Sequence, residues 1–216
     1  YLKRRIDHNQ IDEKKFILRN NSSFISDNKK IKKCNFFIIT VPTPVNKRNK
    51  PDLKHVINAS KHVGSILKKN DIVFYESTVY PGTTKEICIP ILEKFSKLKY
   101  QKDFYVGYSP ERINPGDPQK KIDNIKKIVA FENLLITKKV KSIYKKITKK
   151  IIFSNNIREA ETSKVIENIQ RDLNIGLMNE VYKVCKKMNI NFKNVINLAC
   201  TKWNFIRFSP GLVGGH

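Results

Sequence analysis

At 216 residues the chain is long enough for one large domain, or for one domain and part of another. Its 40% hydrophobic content supports a core, but no apolar run approaches the ~20 residues of a membrane span. Lys and Arg outnumber Asp and Glu by 43 to 19, a formal net charge of +24, which raises nucleic acid or an anionic membrane as a partner. The basic residues are spread through nearly every segment, without the single aromatic-interleaved stripe that favours nucleic acid, so a lysine-rich composition is the better account. Cys34, Cys88, Cys185 and Cys200 form no CxxC pair, which argues against zinc and a disulfide framework and fits reduced thiols in a cytoplasm. No charged-then-apolar leader opens the chain. Tyr1 is not an initiator Met and the chain stops directly after Gly214-Gly215-His216, so a piece of a longer protein is expected.

In chain order, Ile11–Leu18 reads as a short helix. Asn35–Val41 is a continuous apolar run stopped by Pro42-Thr43-Pro44, the pattern of a parallel strand buried on both faces. Asp52 is placed to cap a helix over Leu53–Lys69, with Val56, Ile57, Ala59, Ser60, Val63, Gly64 and Leu67 on one face. Asp71–Ser77 is the next strand, and Pro81-Gly82-Thr83-Thr84 opens a helix to about Phe95. Phe104–Tyr108, Ile128–Phe131 and Ile151–Phe153 add three strands, the last two separated by a helix. Strands alternating with helices imply βαβ units and a parallel sheet covered on both faces, with ligands at the carboxyl ends of the strands. Glu159 to Met188 contains no Pro and one Gly, with apolar residues at helical spacing, and so forms one long helix. A second helix follows over Phe192–Ala199. The domain boundary is expected near Ile157, dividing residues 1–157 from residues 158–216.

The chemistry-bearing residues gather after the strands and on the long helix. Glu111 follows a strand and a proline, where partial burial would suit a carboxylate to act as a base; alternatively it is a surface group paired with Arg112. Thr43, Ser77 and Thr78, with the backbone of Val41 to Pro44, offer hydroxyls and N–H groups to a phosphate or a ribose. Lys164, Asn168 and Arg171 fall at i, i+4 and i+7, on one helix face, a set suited to binding an anion and stabilising an oxyanion. By spacing alone a solvated face explains them as well. No metal-ligand spacing is present. His8, His55 and His62 read as surface residues, and Cys88, Cys185 and Cys200 as small core residues.

Taken together, six ordered stretches resemble the UDP-glucose/GDP-mannose dehydrogenase family, in particular its UDP-N-acetyl-hexosamine 6-dehydrogenase branch. They are Thr40–Pro44, Pro51–Leu53, Tyr75–Gly82, Gly107–Asp117, Val165–Ile175 and Thr201–Phe205, continued by the tail Pro210–His216. The resemblance implies an incomplete Rossmann-type domain (1–157), lacking its first βα unit, and a helical central domain (158–216) that pairs two subunits through the long helix. It implies an enzyme that oxidises the C6 hydroxyl of a UDP-N-acetyl-hexosamine twice with NAD, through a cysteine-bound intermediate, to a uronic acid for surface polysaccharide.

By position, Lys164 and Asn168 match the family's oxyanion-stabilising pair, Glu111 its hydrolytic carboxylate, and Thr78 the hydroxyl that holds a water near the reacting carbon. Val41, Pro42, Thr43, Pro44, Ser77 and Thr78 match the cofactor loops. Glu111, Arg112, Lys164, Asn168, Arg171, Pro210, Gly211 and Gly214 match the substrate-binding set. The family's glycine-rich first turn would precede Tyr1 and its cysteine would follow His216, so these 216 residues are not expected to complete the reaction. Where the branch reads Pro-Phe-Arg-Pro-Gly, this chain has Arg207-Phe208-Ser209-Pro210-Gly211, which displaces or removes a substrate-contacting arginine. A basic nucleic-acid module and an inactive remnant are the competing readings.

Overall fold

The computed structural model describes residues 25–112 and 125–212. The helix expected over Ile11–Leu18, His8, and the tail residue Gly214 lie outside them. The chain divides into two compact units, Tyr1–Glu161 and Thr162–His216.

The first unit is built on a five-stranded sheet of order β1-β2-β3-β4-β5: Phe36–Ile39, Ile72–Tyr75, Tyr105–Tyr108, Lys127–Phe131 and Ile151–Ser154. A short helix, α1 (Asn28–Ile31), precedes β1; α2 (Lys54–Ile66) links β1 to β2; α3 (Ile89–Ser96) links β2 to β3; and α4 (Thr137–Tyr144) links β4 to β5. The expected α/β architecture is present, and β1–β2, β2–β3 and β4–β5 are parallel. One pairing differs from the all-parallel expectation. β4 runs antiparallel to β3, with Gly107 opposite Phe131 and Tyr108 opposite Ala130. An antiparallel neighbour needs no crossover helix, so counting strands and helices cannot reveal its direction.

Helices cover both faces of the sheet because successive strand residues point to opposite sides. Phe37, Ile39, Val73, Tyr75, Val106 and Tyr108 join the side chains of α2 and α3 in one cluster, which also takes in Ile157 and Ala160. Ile72, Phe74, Tyr105, Val129 and Phe131 meet Val140 and Tyr144 of α4 in the other. The Phe74 ring stacks on Phe36 at 5.5 Å and meets Tyr144 at 5.2 Å. Gly107 makes room for it: a Cβ there would lie 2.2 Å from the Phe74 ring. β1 departs from the expectation of burial on both faces: it is the first strand in the order among the described residues, and Ile38 is 39% exposed.

Two helix starts also differ from the sequence pattern. Leu53 occupies the N-cap position of α2, and Asp52 accepts a hydrogen bond from the Lys54 N–H (3.0 Å), a local Asx bridge one residue earlier than expected. Before α3 the chain makes a π-helical turn over Thr84–Cys88. Pro90, in the first turn of α3, has no N–H to continue an α ladder backwards, and the wider turn adjoins it.

The second unit carries most of α5 (Ile157–Lys187) and α6 (Phe192–Ala199). Both expected helices are there. The Asn191 side chain caps α6 by accepting from the Asn194 N–H at 3.1 Å, and Tyr182 meets Phe192 edge-on at 5.7 Å. Cys185 is buried and Cys200 half-buried, as small apolar packing residues would be, while His55 and His62 are exposed.

Cys88 is a core residue. Burial pushes its thiol up to about 12 and the Tyr100 phenol up to about 12; burial raises Tyr75 and Tyr144 too. These groups keep their protons in the folded chain at pH values where the unfolded chain releases them. Their contribution to stability is therefore complete below the unfolded pKa values and declines as pH rises through the folded ones. The urea midpoint should fall steadily between about pH 9 and about pH 11. A midpoint that is flat or rises over that window would contradict this picture.

Candidate active site

In the first unit the loops after β1 and β2 are locked to each other. The Ser77 hydroxyl donates to the Val41 carbonyl at 2.6 Å, and the Thr43 hydroxyl donates to the Thr78 carbonyl at 2.5 Å. Ser77 and Thr43 are buried, so these bonds fix the backbone of Val41, Pro42, Thr43 and Pro44 against Ser77-Thr78. The expected role of the two hydroxyls as donors to a ligand changes accordingly: their protons are committed to the neighbouring loop. Thr78 is different, since among the described residues its half-buried hydroxyl has no hydrogen-bond partner. A rigid loop pair presenting one unused hydroxyl at the carboxyl edge of a parallel sheet suits a nucleotide cofactor.

Glu76, the first residue past β2, anchors the same loop from below. One carboxylate oxygen pairs with Lys127 Nζ at 3.0 Å and the other accepts from the Tyr144 hydroxyl at 2.8 Å. Glu76 and Lys127 side chains are only 12% and 11% exposed, so this ion pair crosses the sheet almost out of water. Burial first, and then the Glu76 carboxylate, raises the Tyr144 phenol. Glu111 and Arg112 follow the neighbouring strand β3. Glu111 is exposed, its carboxylate accepts from the Arg112 N–H at 2.7 Å, and Arg112 Nη1 donates to the Lys126 carbonyl at 2.9 Å.

Glu161 has no exposed surface. Its carboxylate accepts from the Gly82 N–H (2.6 Å), the Thr84 N–H (2.9 Å) and the Thr84 hydroxyl (2.7 Å). The open N–H groups at the start of this helical stretch, which otherwise attract an anion, are thus satisfied from within the chain. Gly82 adopts φ 96°, where a side chain would be strained and a Cβ would lie 2.9 Å from Glu86. Glu86 pairs with Arg158 beside it. Sequence reasoning missed Glu161. The available signal was the Gly82-Thr83-Thr84 run of unpaired donors, which needs an acceptor when buried.

In the second unit Lys164, Asn168 and Arg171 do lie on one stripe of α5. Arg171 Nη2 donates to Asn168 Oδ1 at 3.1 Å. Asn168 therefore keeps its NH2 group as its free polarity, a donor. Farther along, Asn179 exchanges two hydrogen bonds with the Gly211 backbone. Ser209 and Gly211 are exposed and Pro210 is half-buried. The Arg207 guanidinium folds onto α6, donating to Asn197 Oδ1 at 2.9 Å and approaching Cys200 Sγ at 3.8 Å. It is thereby occupied and does not stand in for an arginine at position 209.

Residues 11–148 match the UDP-glucose/GDP-mannose dehydrogenase family, NAD binding domain, and residues 158–216 match that family's central domain. The chain belongs to this family. It is 50% identical over 195 residues to UDP-N-acetyl-D-glucosamine 6-dehydrogenase of Pseudomonas aeruginosa, covering 90% of this chain and 46% of that protein. It is 47% identical over 209 residues to Protein CapL of Staphylococcus aureus, covering 96% and 49%. The structure of UDP-D-ManNAc dehydrogenase from Pyrococcus horikoshii superposes with a TM-score of 0.80 at 32% identity, covering 89% of this chain and 46% of that one. The chain spans about half the length of the curated relatives it matches. The family match bears out the Rossmann-type fold and NAD as the cofactor of the matched domain. It does not favour a nucleic-acid module or an inactive remnant. Among the described residues no helix is long and apolar enough to cross a membrane, and no three His, Cys, Asp or Glu side chains group as metal ligands.

Glu161→Gln keeps the side chain's size but sets one acceptor oxygen and an NH2 group against three donors. It should destabilise the chain by roughly 2–4 kcal/mol. Urea unfolding beside Glu159→Gln, an exposed carboxylate two residues earlier, tests this; equal midpoints for the two variants would show that the buried bonds carry no weight.

Proposed function

We propose that the protein containing this chain oxidises the C6 hydroxyl of a UDP-N-acetyl-hexosamine to the carboxylate with NAD, for surface polysaccharide synthesis in the cytoplasm. The observation that carries the reading is the polarity of Asn168. With its oxygen held by Arg171, Asn168 is left with its NH2 group as a donor, on the stripe that also carries Lys164. An amide donor one helical turn from a lysine suits the oxygen that gains negative charge as a C6 hydroxyl is oxidised and as an acyl intermediate is hydrolysed.

When bound, NAD supplies the hydride acceptor. The chain's own part is to seat it on the braced loops Val41–Pro44 and Ser77-Thr78, and to hold a water on the free Thr78 hydroxyl. Glu111, exposed to solvent at the end of β3, takes the proton from the hydrolytic water. Arg112 in the first unit, and Arg171 with the backbone of Pro210 and Gly211 in the second, are each assigned contacts with the substrate. Residues 1–157 and 158–216 serve as the cofactor-binding and central domains of this arrangement.

Asn168→Ala in the family-length protein should lower kcat by about 10²–10³ while leaving the NAD dissociation constant unchanged, and Lys164→Ala should do the same. The 216-residue chain alone should yield no NADH from UDP-N-acetylglucosamine. Wild-type turnover by the Asn168 variant, or steady NADH production by the short chain, would refute the reading.

The face of α5 opposite the stripe supports a homodimer. Ile166, Ile169, Leu173 and Leu177 follow one another at helical spacing, and Leu173 and Leu177 are 67% and 55% exposed. A second copy of the helix is the partner proposed for that face. Leu173→Asp with Leu177→Asp should convert the dimer to monomer in sedimentation velocity; an unchanged sedimentation coefficient would place the contact elsewhere.

A further inference from the structure

We propose that Asn179 is a positioning residue that fixes the Gly211 peptide, and with it the backbone of Pro210 to Leu212, along the face of α5 that carries Lys164, Asn168 and Arg171. Positions 164, 168, 171, 175 and 179 step by four, three, four and four, so Asn179 continues the same stripe three turns past Asn168. Its carboxamide donates from Nδ2 to the Gly211 carbonyl at 2.9 Å and accepts at Oδ1 from the Gly211 N–H at 2.8 Å. A primary amide is the side-chain group that answers both halves of a peptide in this way. Aspartate lacks the donor and leucine lacks both.

Among the described residues little else holds the Gly211 peptide. A Cβ at Gly211 would find nothing within 4 Å, and Leu212 is 99% exposed. Apolar packing therefore does not set the position of Gly211; the paired hydrogen bonds do. Both lie within the second unit, on the helix face that presents the oxyanion donors. The substrate half of this inference rests on the function proposed above. In it the Pro210–Leu212 backbone is part of the wall that orients the UDP-sugar, and a wall free to drift would weaken sugar binding without disturbing the cofactor loops.

Two measurements separate the halves. In this chain, Asn179→Leu should speed hydrogen exchange at the Gly211 amide by about tenfold, the weight of one net hydrogen bond, with Asn179→Asp falling between. In the family-length protein, Asn179→Leu should raise the KM for the UDP-sugar by about tenfold, with the KM for NAD and the melting temperature unchanged. Glu180→Gln, at an exposed residue paired with Lys183 on the same helix, serves as the neighbouring control. Unaltered Gly211 exchange would overturn the clamp. Faster exchange with an unchanged KM for the UDP-sugar would overturn its role in substrate positioning. Parallel losses in both KM values and in melting temperature would reduce Asn179 to a structural residue. Failure of the wild-type family-length protein to act on any UDP-sugar would instead overturn the proposed function, leaving the exchange result to stand by itself.

Discussion

A buried carboxylate must find donors or lose its charge, and Glu161 finds them in one place. The Gly82 and Thr84 N–H groups and the Thr84 hydroxyl converge on it. Removing a carboxylate from water costs several kcal/mol, so the site exists only because the start of the helical stretch supplies donors and a favourable dipole. The consequence is geometric. The first turns of α5 are tied to the loop that follows β2, which contains Ser77 and Thr78. Ile157 and Ala160, on those same turns, pack into the apolar cluster beneath α2 and α3, so the tie and the core enforce one register.

The second buried charge pair acts on the other side of the sheet. Glu76 leaves β2 and reaches Lys127 of β4 and Tyr144 of α4, bridging elements far apart in sequence. Replacing such a pair by apolar residues of similar volume is often neutral for stability. Its use here is specificity: both carboxylate oxygens are occupied, so the loop that follows Glu76 has one position. Together with the Ser77–Val41 and Thr43–Thr78 bonds, it leaves Thr78 with a hydroxyl that the fold does not consume. Rigid placement of an unused polar group is what distinguishes a site from a surface loop.

The parts of this design legible in the sequence are those with local periodicity. Apolar runs closed by Pro, as at Pro42, marked the strands, and the unbroken spacing from Val165 to Met188 marked α5. What local patterns could not show was any relation requiring two distant residues. The direction of β4 depends on which strand it pairs with. Exposure of Ile38 depends on what packs over that face of β1, which no local pattern records. Glu161, Glu76 and Asn179 look like ordinary polar residues until their partners at Thr84, Lys127 and Gly211 are known. Conversely, Thr43 and Ser77 looked like ligand donors because their hydroxyls were counted without their acceptors. The Lys164–Asn168–Arg171 stripe was readable as a stripe, but the direction of the Asn168 amide needed the Arg171 contact.

α5 shows how far two demands can share one helix. Its polar stripe runs from Lys164 through Asn168 and Arg171 to Asn179, while Ile166, Ile169, Leu173 and Leu177 line the opposite side. A helix polar on one side is ordinarily polar toward water and apolar toward its own core. Here the apolar side is itself exposed, and the buried Met178 and Cys185 lie near the Arg171 edge of the polar stripe. The exposed leucines thus lie on the side away from Lys164, Asn168 and Arg171. Polar groups on a packed helix are held only where bonds fix them. Asn168 is held by Arg171 and Asn179 by Gly211, so both amides point in one defined direction. A solvated face would not need either bond, and this fixed orientation is what the role proposed for the face requires.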